Sequence, residues 1–317
     1  MSVLRSLRTI SQATGTEPID WSAVETAARE AVPPGSLGLT AAQRRGYRDD
    51  VRDARRAVRT TSMLTFDVPH TIQVQNRHHW MDANLPTFQR LMQPLADRQL
   101  VVLPAPARVV NTGTMTLVLA FLGRHVLGQY DPLLLADEDT HELYFVHPNI
   151  VHAADELDVP FDRFRRWIAF HEVTHAAEFG AAPWLPDQLE RHVRDGLDAL
   201  SAGSINRTAF RELDATMTAV EGYAEWLMDE AFDQEYRDLR EKLDERRRNP
   251  GPVGYVVRRM LGLGIKQRQY ERGKAFFDAV ATARGVNAAS SVWAHPDNLP
   301  KWAEFDHPDR WIRRVDP

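Results

Sequence analysis

His171-Glu172-Val173-Thr174-His175 lies inside Trp167 to Phe179, a largely apolar run with neither glycine nor proline, and no other stretch restricts the possible folds as much. Such a run is expected to be helical. Successive helical residues turn by about 100°, so the two histidines fall about 40° apart on one face, where both imidazoles can reach one metal ion at the 2.0–2.1 Å of a zinc–nitrogen bond. Glu172 points about 80° from the bisector of the pair, too far round to be a ligand but well placed to touch a metal-bound water as a general base. Trp167, Phe170, Thr174 and Ala177 occupy an adjoining arc that can be buried while the histidines look into a cleft. With 12 histidines in 317 residues, chance yields this five-residue pattern only roughly a few hundredths of a time per chain. A zinc site at His171 and His175 is the expectation.

A third ligand has to come from elsewhere. The chain has no cysteine, so only histidines and carboxylates remain as strong zinc ligands. The extended motif with Gly at 178 and a third His at 181 is not met, because Glu178 and Ala181 stand there. Farther on, Leu213 to Met228 is amphipathic, with Leu213, Met217, Val220, Ala224 and Leu227 in one stripe and Glu221 and Glu225 beside it. These two carboxylates are one helical turn apart. If Glu221 binds zinc, Glu225 can accept a hydrogen bond from a ligand imidazole; the reversed assignment fits the same spacing.

The remaining sequence reads as mainly α within an α+β class, with a small β-hairpin or sheet ahead of the zinc helix at the cleft edge. It suits one domain over 1–317, or two packed halves, 1–160 with the hairpin and 161–317 with the zinc helix. Asp20 is a plausible cap for a helix from Trp21 that stops at Pro33-Pro34-Gly35, and Thr40 for a helix from Ala41 to Val58. Ile72 and Val74 alternate in a short strand before a helix from Met81 to Leu95, and Thr114 to Leu127 reads as a buried helix. Pro132 to Ala136 and His141 to Val146 are expected to form the hairpin. The adjacent His78 and His79 are expected at the surface. Further helices are expected around Ile150 to Leu157, Glu235 to Arg248, Val256 to Met260 and Ile265 to Arg284, with an irregular but ordered Trp-rich tail.

Net charge is −5 and no strongly basic segment stands out, which argues against a nucleic-acid partner. Met115 to Leu122, the longest apolar run, is too short to span a bilayer. Met1 to Gly15 lacks the apolar core of a signal peptide. Together with the absence of cysteine, these features predict a cytoplasmic protein without a membrane partner. Oligomeric state is left open.

The chain resembles the zincin-like metallopeptidase family often catalogued with deazaflavin-coenzyme biosynthesis. The resemblance rests on Ile19-Asp20-Trp21, Asn76 to Trp80, Leu127 to Asp131, Phe145 to Asn149, Trp167 to His175, Pro183-Trp184-Leu185, Glu221 to Glu225, Lys266 to Tyr270 and Trp311 to Arg314. It implies a gluzincin-like, mainly helical fold. The leading expectation is a zinc peptidase with His171, His175 and Glu221 as ligands and Glu172 as base, acting on a peptide. A zinc hydrolase of a small amide or ester is the second, and a non-catalytic binding protein that retains the fold is the third. Tyr223, Tyr255, Tyr270 and His295 are candidate oxyanion donors.

Overall fold

Two local signals start the fold where the sequence places them. The carboxylate of Asp20 accepts a 3.0 Å hydrogen bond from the backbone N–H of Ala23 and opens helix α1, Trp21–Ala31. Thr40 and Gln43 exchange reciprocal bonds that satisfy two otherwise orphaned donors and open α2, Ala41–Ser62. The structure is a computed structural model, and it describes residues 6, 9–10, 17–69, 71–96, 104–131, 142–204, 206–232, 236–248 and 264–317.

After these come β1 (Thr71–Gln75), α3 (Arg77–Ala96), α4 (Pro104–His125), β2 (Gly128–Asp131), β3 (Glu142–Val146), α5 (His147–Glu156), α6 (Phe161–Ala181), α7 (Leu185–Ser201) and α8 (Arg207–Ala231). The described chain ends with α9 (Arg237–Arg248), α10 (Gly264–Arg284), α11 (Val286–Ser290) and α12 (Pro308–Val315). The architecture is mainly helical with one small sheet. No described helix is long and apolar enough to cross a membrane.

The chain divides into two compact units. The first comprises residues 1–38, 71–153 and 194–206. Its core is Val24, Ala28, Val32, Trp80, Met81, Met115, Leu119 and Val146, contributed by α1, α3, α4 and the end of β3. His78 lies at the end of α1, where its Nε2 meets the Val32 carbonyl at 2.7 Å, so it is half-buried while His79 is exposed.

The sheet of this unit has the order β1-β3-β2. β3 forms within the expected second arm of the hairpin, but its described partners are Gly128–Asp131 antiparallel and Thr71–Gln75 parallel. The expected first arm, Pro132 to Ala136, lies outside the described residues. Gly128-Gln129-Tyr130-Asp131 has none of the apolar alternation that marks a strand, so its pairing is not visible locally.

The second unit comprises residues 39–70, 154–193 and 207–317. Here α6 packs on α2 and α8, and α8 packs on α10. Its aromatic core joins Tyr223 and Trp226 of α8 to Phe277 of α10 and to Trp293, while Phe276 meets Phe305 and Trp311 from the tail. The tail is thus ordered and partly helical, with Trp293 and Trp311 fully buried and Trp302 at the surface. The expected segment around Val256 to Met260 lies outside the described residues.

Candidate metal centre

Helix α6 carries the two histidines, and its burial is more complete than an amphipathic wheel requires. Trp167, Phe170, Thr174 and Ala177 are buried as expected, but so are Ile168, Ala169, Val173 and Ala176. Near its N-terminus the buried Arg165 pairs with Asp50 of α2 at 2.7 Å and with Asp162 at 2.6 Å, while its guanidinium lies over the rings of Tyr47 and Phe161. Gly46 leaves room for that guanidinium; a Cβ there would overlap it. The helix is therefore fixed both in rotation and along its axis.

His171 and His175 are brought together with Glu221 of α8, and one ligand atom from each lies within 4.8 Å of the others. The two Nε2 atoms are 3.2 Å apart. From Glu221 Oε2 the distances are 3.9 Å to Nε2 of His171 and 4.0 Å to Nε2 of His175. A point equidistant from these three atoms lies about 2.2 Å from each, close to the 2.0–2.2 Å bonds that zinc makes to imidazole nitrogen and carboxylate oxygen. The side chains of His171 and His175 remain 19% and 14% exposed, which leaves one side of the triad open. Two imidazoles and one carboxylate also match the donor set of catalytic zinc sites with an open fourth position. The residues present therefore fit zinc.

Glu172 is only 6% exposed and close enough to His175 to raise its proton affinity electrostatically, without being one of the three converging donors.

Glu225 is almost fully buried and sits 2.8 Å from Nη2 of Arg240 on α9. Arg240 also pairs with Asp229, which meets Lys274 at 3.2 Å. For His175 the hydrogen-bonding role expected of Glu225 is taken by a residue the sequence reasoning passed over. Glu178, one turn farther along α6, has Oε2 2.8 Å from His175 Nδ1, and its side chain is completely buried. The signal was present as a carboxylate three residues after the second histidine.

This His175–Glu178 pair is electrostatically coupled. Burial opposes protonation of His175, but the charge and hydrogen bond of Glu178, helped by Glu221 and Glu172, raise its pKa to about 9. Burial likewise pushes the Glu178 carboxyl up, to about 7, against the lowering influence of His175. With a metal on Nε2 the imidazole is neutral and its single N–H is on Nδ1, where it faces the Glu178 carboxylate as acceptor.

Two of the four candidate oxyanion donors can be placed, and both are engaged elsewhere. The hydroxyl of Tyr223 is 2.8 Å from Ser290 Oγ, which donates to the Ser62 carbonyl, and the ring is fully buried, so this tyrosine closes an internal hydrogen-bond chain. His295 is exposed, and its Nδ1 accepts from the backbone N–H of Asp297. Tyr255 and the side chain of Tyr270 lie outside the described residues.

A helix bearing the paired histidines, a carboxylate converging from a second helix and a neighbouring non-ligand glutamate define the class of zincin-like metalloproteins. The chain belongs to the zincin-like metallopeptidase family, whose pattern it matches over residues 19–205 and 195–312. It is also similar to a solved structure from Chloroflexus aurantiacus described as "a putative hydrolase with a novel fold". That similarity has 30% sequence identity and a TM-score of 0.76, and covers 94% of this chain and 99% of the other. No curated protein matches the chain.

Proposed function

We propose that the chain is a zinc-dependent peptidase in which His171, His175 and Glu221 hold the metal and Glu172 is the general base. The position of Glu172 carries this reading: it is buried beside the triad, yet is not one of its donors. The ion pair with Arg240 favours Glu221 as ligand, since Glu225 already faces a cation. Zinc bound here would supply Lewis acidity toward water and the scissile carbonyl. Glu172 takes a proton from the attacking water and delivers it to the leaving nitrogen, so one amide and one water give a carboxylic acid and an amine. The metallopeptidase family supports a peptide substrate over a small amide or ester, and the hydrolase description of the Chloroflexus relative supports hydrolysis in general.

Digestion of a peptide library with the zinc-loaded and chelated protein tests the reading. Cleavage products should appear only with zinc. Intact peptides alongside hydrolysis of small amides or esters would move the substrate class, and no hydrolysis of either would favour a binding protein.

Two metal predictions accompany this test. Metal analysis should find one zinc per chain, and free zinc at 100 times its Kd should stabilise the fold by about 2.7 kcal/mol, seen as a rise in Tm that a chelator reverses. Glu221→Ala should lower zinc affinity by more than the roughly 10–100-fold that follows loss of a group behind a ligand. Abolition of binding by Glu225→Ala, with Glu221→Ala unaffected, would reverse the assignment.

A further inference from the structure

We infer that Glu178 is a positioning residue for the metal site: by accepting the Nδ1–H of His175, it fixes the ring orientation and tautomer that present Nε2 to the metal. The inference rests on the zinc reading above. A neutral imidazole has one N–H and one lone pair, and only the nitrogen without the proton can bind a metal. Within α6 the choice between the two nitrogens of His175 is made by geometry. Nδ1 faces the Glu178 carboxylate at 2.8 Å, while Nε2 lies 3.2 Å from Nε2 of His171 and 4.0 Å from Glu221 Oε2.

The carboxylate is enclosed by the protein. Glu178 is 0% exposed, and its backbone carbonyl accepts the 2.9 Å bond from Ala182 N–H that closes the helix. Because it comes from the same helix as the histidine, the distance between them is set by one helical turn and does not depend on packing between helices. Its charge makes the hydrogen bond roughly twice as strong as a neutral one and the imidazole a better donor to a metal.

The alternative is a purely structural pair that stabilises the C-terminal half of α6. Zinc affinity separates the two, measured by competition with a chromogenic chelator on protein shown to be folded by its Tm and circular dichroism. Glu178→Leu keeps the volume and removes the acceptor, and should weaken zinc binding by about 10–100-fold. Glu178→Gln retains a carbonyl acceptor without the charge and should recover much of the affinity while staying about threefold or more below wild type. A Leu variant that binds zinc like wild type while its Tm falls would overturn the inference in favour of the structural role. If the Leu variant does not fold, wild-type affinity in the Gln variant overturns it equally.

Failure of the peptidase reading looks different. Wild type that binds zinc but hydrolyses nothing, with affinity still dependent on Glu178, leaves this inference standing, whereas wild type that takes up no zinc removes both.

Discussion

Glu172→Gln is expected to lower hydrolysis by about 10²–10⁴-fold, the usual contribution of a general acid–base group, while zinc content stays at one per chain and Tm changes little. The substitution keeps the shape of the side chain and its compatibility with α6, so a residue only 6% exposed remains packed. What is lost is the proton acceptor. The loss should appear in kcat and kcat/KM together, because proton transfer occurs in the transition state and not in substrate binding. Loss of zinc would instead make Glu172 a ligand or an anchor of the triad. Undiminished hydrolysis would place the base elsewhere, and rates measured against a chelated control distinguish that outcome from contaminating activity.

The parts of this site legible in the sequence are those set by one helix at a time. His171, Glu172 and His175 are related only by the helical repeat, and their orientation follows from it. Glu221 and Glu225 could be found as a pair because the same repeat applies to α8. Which of the two lies nearer the histidines depends on how α8 meets α6 and on Arg240, a residue of α9 with no sequence signature linking it to either. Glu178 was overlooked although the same repeat places it one turn after His175: a carboxylate at that spacing is in most helices a solvated charge, and only the burial of both side chains makes it the partner of Nδ1. Strand β3 was legible from Leu143, Tyr144, Phe145 and Val146, whereas its parallel pairing with Thr71–Gln75 joins segments far apart in the chain, and its neighbour Gly128–Asp131 carries no apolar alternation to mark it as a strand. The buried Arg165–Asp50 pair joins residues 115 positions apart and would read in the sequence as two more charges on solvated helices.

The approach of α8 to α10 gives the second large effect. Gly222 follows the proposed ligand Glu221 and lies directly against Gly273, so close that a Cβ on Gly222 would overlap the Cα and carbonyl carbon of Gly273 and lie 2.9 Å from the backbone nitrogen of Lys274. These obstacles are main chain, and no rotamer change can relieve them. Replacing glycine by alanine within a helix ordinarily gains roughly 1 kcal/mol, so the sign of the result is diagnostic. Gly222→Ala should instead cost about 2–3 kcal/mol, the upper range of an overpacked core, and lower Tm by about 3–5 °C in a chain of this size. Separation of the helices would also carry Glu221 Oε2 away from the two imidazoles, so zinc affinity should fall with stability. Gly273→Ala should act in the same direction, because its Cβ would meet the Thr218 carbonyl and lie 3.2 Å from the Gly222 nitrogen. Gly113 is the control: its added Cβ would meet only Ile10 Cγ2, at an ordinary 3.5 Å, so Gly113→Ala should be neutral or mildly stabilising. Thermal melts with and without zinc check all three, and a Gly222→Ala protein as stable and as zinc-avid as wild type would show that α8 and α10 do not cross this closely.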